Sequence, residues 1–127
     1  MFPPMDANDA LERLTQVSDD VSAAVVFQRG GTLRVLGSTV PAEDAGELAT
    51  LGDAMLAYAD ALRDGSQVRQ LEAKTTEGGV YVVRKGERAV VATAGRDALS
   101  GLVQHDLRTV LADLAKRSKT VKKSAAS

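Results

Sequence analysis

The chain is 127 residues and 13.3 kDa, the size of one domain and too short for two. Apolar residues make up 44% and charged residues 26%, a globular balance that excludes wholesale disorder; the absence of cysteine excludes disulfides, thiolate metal sites and cysteine nucleophiles. The net charge of −1 hides a split: Lys116, Arg117, Lys119, Lys122 and Lys123 give the last twelve residues +5, and the remaining 115 carry −6.

From the N-terminus, Ala7 to Val17 places Ala10, Leu11, Leu14 and Val17 at three- and four-residue spacings, which predicts an amphipathic helix with Asp6 as its N-cap. Val21 to Gln28 (VSAAVVFQ) is apolar on both faces, as a central strand covered from two sides must be. Arg29-Gly30-Gly31-Thr32 is a turn, and Leu33 to Val40 returns as the second strand of a hairpin. Pro41 then opens a long helix, Ala42 to Leu62, with Glu43, Asp44 and Glu47 near its positive end and Gly65 as its left-handed stop. Three strands follow, at Val68–Thr76, Gly79–Lys85 and Arg88–Ala94, with turns at Gly78-Gly79 and Lys85-Gly86-Glu87. Gln70, Glu72 and Lys74 alternate with Leu71, Ala73 and Thr75, so the first of these three has one wet face and reads as an edge strand. A last helix spans about Leu99 to Arg117, with Leu99, Val103, Leu107, Val110 and Leu114 along one stripe. The order α-β-β-α-β-β-β-α predicts an α+β domain: a five-stranded antiparallel sheet with helices on both faces, profilin- or longin-like in layout.

That order, carried by AAVVFQRGGTLRVLGS, LATLGDAMLAYADAL and GGVYVVRKGERAVVATAG, resembles the Roadblock/LC7 family over residues 7–117. The resemblance leaves residues 1–6 as an N-terminal extension and 118–127 as a basic flexible tail. It implies a small non-enzymatic module that pairs through its second helix and third strand. Such modules work as bacterial co-regulators or scaffolds of small Ras-like GTPases, or as dynein light chains and lysosomal scaffold subunits. The turn at Arg29-Gly30-Gly31 departs from the Asp-Gly or Asn-Gly pair commoner there, and the basic tail has no counterpart in the fold.

The long helix supports a partner independently of that resemblance. Leu48, Leu51, Met55, Tyr58 and Leu62 form one stripe, which is expected to bury against the sheet. Ala45, Ala49, Gly52 and Ala59 lie beside it and Ala54, Ala57 and Ala61 further round, a small-residue surface that lets another backbone approach. The expected dimer or partner interface is therefore Ala45, Ala49, Gly52, Ala54, Ala57 and Ala61 with Gln70, Glu72 and Lys74 of the edge strand. Glu43, Glu47, Asp53 and Asp60 would form its acidic rim. Alanine is also simply the best helix former, so the same residues are compatible with an unpartnered surface.

Signals for chemistry are weak. Neither glycine-rich phosphate-binding fingerprint occurs, and the acid pairs Asp19-Asp20 and Glu43-Asp44 lack the loop of a calcium site. A single histidine, His105, excludes a histidine-pair metal site or relay within one chain, and four aromatics are too few for a base-stacking platform. Arg29, Arg34, Arg84 and Arg88 stand in or beside hairpins, where solvation is the expectation and a trans-acting arginine the sharper alternative. No apolar run reaches membrane-span length and Met1–Met5 lacks the features of a signal peptide. The expectation is a cytoplasmic homodimer that binds a small Ras-like GTPase, with no catalytic residue, cofactor, metal or small-molecule substrate. A scaffold or adaptor subunit without a nucleotide-dependent partner is the alternative. The basic tail is expected to be a solvated helix end, with weak contact to an anionic membrane or nucleic acid as the other reading.

Overall fold

The computed structural model describes residues 6–64 and 66–126, and over 115–126 the backbone alone. Its elements are α1 (Ala7–Val17), β1 (Val21–Gln28), β2 (Arg34–Ser38), α2 (Ala42–Leu62), β3 (Gln70–Lys74), β4 (Gly78–Lys85), β5 (Arg88–Gly95) and α3 (Ser100–Ala126). The Asp6 carboxylate accepts from Asp9 N–H at 2.9 Å and caps α1 as its position predicts. The two edge strands β2 and β3 are shorter than the apolar pattern suggested, and Gly78-Gly79 open β4 rather than forming its turn. The left-handed residue after α2 is Asp64, at φ 56°; the predicted stop, Gly65, lies outside the described residues. Helix α3 continues past Arg117, since no Gly or Pro interrupts 118–126. The side chains of the basic segment lie outside the described residues, as does the extension up to Met5.

All pairings are antiparallel, in the order β2-β1-β5-β4-β3. Strands β2 and β3 are consecutive in the chain yet occupy opposite edges, so α2 must cross the whole sheet. Its 21 residues give about 32 Å at 1.5 Å each. Four inter-strand steps need only about 19 Å.

Alternation along the strands divides the core in two. Ala24, Val26, Tyr81, Val83, Val90 and Ala92 face α1 and α3; Val25, Phe27, Val82, Ala89 and Val91 face α2. Full burial of Phe27 or Leu56 is worth about 1.5–3 kcal/mol each. On α1 and α3 two residues expected on apolar stripes are instead exposed: Val17 is the last residue of α1, and Leu99 precedes the first turn of α3.

The two edges are finished differently. At β2, the start of α1 lies against the strand: Asn8 Oδ1 accepts the outward N–H of Ser38 at 3.0 Å. A Cβ on Gly37 would stand 2.6 Å from Ala7 Cβ and 2.8 Å from the backbone of Ala7 and Asn8. Only glycine leaves room for that cover. Gly37→Ala should therefore destabilise the domain by about 1–3 kcal/mol, as overpacking does. Urea denaturation measures this, and an unchanged midpoint would show that α1 is not seated on β2.

Candidate interaction surface on helix α2 and strand β3

The orientation of α2 on the sheet corrects the sequence expectation. Ala45, Ala49, Gly52 and Leu56 are the buried residues of the helix, at spacings of four, three and four. A Cβ on Gly52 would meet Val91 Cβ at 3.0 Å and the Phe27 ring at 3.1 Å. The small residues are thus consumed in seating α2 on its own sheet. Ala45, Ala49 and Gly52, expected at a partner interface, do not face outward. Leu51, Tyr58 and Leu62, expected against the sheet, are 44%, 70% and 68% exposed, and Leu48 and Met55 are half-buried beside them. The large-residue stripe resembles a seat because it carries more apolar area. Close approach favours the stripe with less side chain, and Leu56 completes it. The spacing Ala45-Ala49-Gly52-Leu56 is the sequence pattern of the true seat, and the larger stripe beside it has the same period.

Ala54, Ala57 and Ala61 are exposed as expected. At about 100° per residue, Ala54 adjoins the Leu51–Tyr58 flank, while Ala57 lies on the far side of it. The helix therefore has two apolar surfaces, one seated and one open. On the same sheet face Leu71 and Val80 are only partly buried.

The expected acidic rim also divides. Glu43 and Glu47 are exposed. Asp53 and Asp60, seven residues apart on one side of α2, turn back to their own sheet. Asp53 Oδ1 takes Arg29 Nε at 2.5 Å. Asp60 Oδ2 takes both terminal nitrogens of Arg84, at 2.8 and 2.6 Å, and its Oδ1 takes Val68 N–H at 2.8 Å. Arg84 Nε donates to Val68 O at 3.1 Å, so the guanidinium and carboxylate clasp the segment leading into β3. No spacing in the sequence signals these ties, and they correct the expectation that Arg29 and Arg84 are solvated. Arg34 is exposed and Arg88 half-buried, and neither pairs with a carboxylate among the described residues.

Strand β3 is the open edge. Arg84 N–H donates to Arg69 O and Thr75 N–H to Gly78 O, so alternate residues from Arg69 to Thr75 bond inward to β4. The backbone groups of Gln70, Glu72 and Lys74 consequently point away from the sheet. Their side chains turn toward α3: Gln70 Oε1 accepts from Arg108 at 2.6 Å, Glu72 Oε2 from Ser100 at 2.7 Å, and Lys74 lies 3.9 Å from Glu72. Buried Gln104 adds a bond from Nε2 to Leu71 O at 3.2 Å, its Oε1 lacking a partner among the described residues. What β3 offers a partner is its backbone.

Among the described residues no three His, Asp or Glu side chains converge as a metal site would require, and no helix is long and apolar enough to cross a membrane. His105, Asp19, Asp20 and Asp44 are exposed.

The Asp60 carboxyl is held below the usual carboxylate range, first by Val68 N–H; partial burial opposes this, and Arg84 and then Arg29 reinforce it. Because the folded-state value is depressed, the unfolded chain binds the extra proton. The stabilisation is complete above the ordinary carboxylate value of about 3.9 and is lost as pH falls through the lower folded value. Asp60→Asn should thus cost stability at neutral pH and flatten the decline below about pH 4. Asp60→Ala strands Arg84, whose side chain is 5% exposed, and should cost about 2–3 kcal/mol; this lies below the range for a fully buried pair because Asp60 itself is 23% exposed. Chemical denaturation across pH checks both, and a variant as stable as the parent at pH 7 would contradict the clasp.

No protein-family model and no curated protein matches the chain, whereas solved structures do. A Roadblock/LC7 domain from Streptomyces avermitilis is 19% identical, with 91% of this chain and 94% of that one covered and a TM-score of 0.66. Myxococcus xanthus MglB is 16% identical over 90% and 88% of the two chains, at a TM-score of 0.72. The gliding protein MglB from Thermus thermophilus is 22% identical over 90% and 89%, at 0.70. With the element order α-β-β-α-β-β-β-α and structural likeness over about nine-tenths of the chain, the chain has the Roadblock/LC7 fold.

Proposed function

We propose that this protein is a non-enzymatic homodimer that binds a small Ras-like GTPase and modulates or localises it. The observation that carries the dimer is the second apolar surface of α2. Leu51, Tyr58 and Leu62 lie open on a helix already seated through another face, and the open edge of β3 belongs to the same sheet. A single-chain helix needs one apolar face. Unpaired strand edges are protected or used, and here only β2 is protected. A two-fold axis would set α2 against α2 and β3 against β3, covering Leu71 and Val80 and joining two five-stranded sheets into one.

The GTPase belongs to this reading through the Roadblock/LC7 resemblance, supported by the structural likeness to two MglB proteins. With Asp53 and Asp60 tied to the sheet, Glu43 and Glu47 remain as exposed acids at the start of α2, where they would tune encounter more than affinity. The interface residues of this proposal are Leu48, Leu51, Ala54, Met55, Tyr58 and Leu62 with the β3 backbone.

Light scattering should give twice the 13.3 kDa chain mass. Tyr58→Glu with Leu62→Glu should reduce it to one chain while circular dichroism stays unchanged, because both side chains are exposed in the subunit. A parent protein of single-chain mass would end the dimer reading. Binding to a Ras-like GTPase of the same genome, loaded with GDP or a non-hydrolysable GTP analogue, should depend on the nucleotide. A stable dimer that binds neither form would replace the GTPase reading with that of a scaffold subunit.

A further inference from the structure

A cavity of about 710 Å3 lies away from the open flank of α2, between the β3–β4 side of the sheet and the middle of α3. Its volume falls in the range of small-molecule sites. Val83 and Leu111, both buried, form an apolar floor, and Arg69, Lys85 and Arg108 stand exposed around it. Among the described residues no carboxylate lines it. The fourth cation of the lining, Arg84, is held by Asp60 and Val68 O. Arg69, Lys85 and Arg108 enter no ion pair among the described residues, in a chain whose first 115 residues carry −6.

The three cations come from separate segments: the lead into β3, the end of β4 and α3. Two of them are supported. Arg69 O accepts from Arg84 N–H at 2.8 Å, the neighbouring Val68 is clasped by the Asp60–Arg84 pair, and Arg108 is oriented by its 2.6 Å bond to Gln70. Such pre-ordering lowers the cost of fixing a ligand. Two guanidinium groups and an ammonium around an apolar floor match an anion whose oxygens accept several charge-assisted bonds and whose body is flat or apolar.

We propose that this cavity binds a phosphorylated small molecule, its phosphate held by Arg69, Lys85 and Arg108 and its organic part against Val83 and Leu111. The proposal does not rest on the dimer or on the GTPase.

The test is an amide NMR titration of the full chain with pyrophosphate, ADP and adenosine. ADP and pyrophosphate should shift Arg69, Lys85, Gly86 and Arg108, with ADP the tighter, and adenosine should leave them in place. Arg69→Gln, Lys85→Gln and Arg108→Gln together should weaken ADP by about tenfold or more, since each removes a charge-assisted bond. If the triple variant loses its dispersed spectrum, Lys85→Glu alone, at the exposed end of β4, must still weaken ADP for the proposal to stand. Absence of shifts with both phosphates at millimolar concentration would overturn it. So would phosphate-induced shifts confined to residues 116–123, which would assign the anion to the C-terminal lysines. Binding of a glutamate-rich peptide at the same amides with no response to phosphate would overturn it in favour of an acidic segment of a partner.

Discussion

The close seating of α2 on the sheet is the constraint from which the rest of the molecule follows. Ala45, Ala49 and Gly52 present almost no side chain, so the helix backbone can descend until Gly52 touches Phe27 and Val91. At that distance the rotation of the helix is fixed, because any larger residue turned toward the sheet would overlap it. Once the rotation is fixed, one flank carries Asp53 and Asp60 down to Arg29 and Arg84, and the other lifts Leu51, Tyr58 and Leu62 into the open. One packing contact thus sets both the internal electrostatics and the outward face.

The Asp60–Arg84 pair extends that constraint to the edge strand. By holding Val68 through both its N–H and its C=O, it ties the segment after α2 to the end of β4 and so delivers β3 in register. Gln104, Arg108 and Ser100 of α3 then fasten β3 from the opposite face. An edge strand held this firmly, with its outward backbone left uncovered, is a pre-ordered template for another strand. The contrast with β2, where Gly37 admits the start of α1 and Asn8 satisfies Ser38, makes the two edges chemically distinct.

Charge follows the same division. Acids of α2 that look available in one dimension are neutralised by arginines from the β1–β2 turn and β4. Cations scattered along the chain as Arg69, Lys85 and Arg108 gather on the α3 side of the sheet, without acid partners among the described residues. An overall charge near zero therefore conceals local fields of both signs, and partners meet the local field.

Local spacing along the chain is enough to specify the elements and their layering. Period-two and period-3.6 patterns located α1, β1 and α2 with the boundaries observed, and placed the other strands within a few residues. Two-faced apolar strands required helices on both sides, and alternation in Gln70–Lys74 marked an edge. These are local properties, written in the spacing of neighbouring residues. Tertiary structure decided which of two adjacent stripes α2 buries, because that depends on how near the helix can come to Phe27 and Val91, which belong to other strands. It likewise decided that Asp53 and Asp60 face inward, that β2 is capped while β3 stays open, and that three distant cations share one cavity. Each joins segments far apart in the chain, and no periodicity along one segment encodes the distance to another.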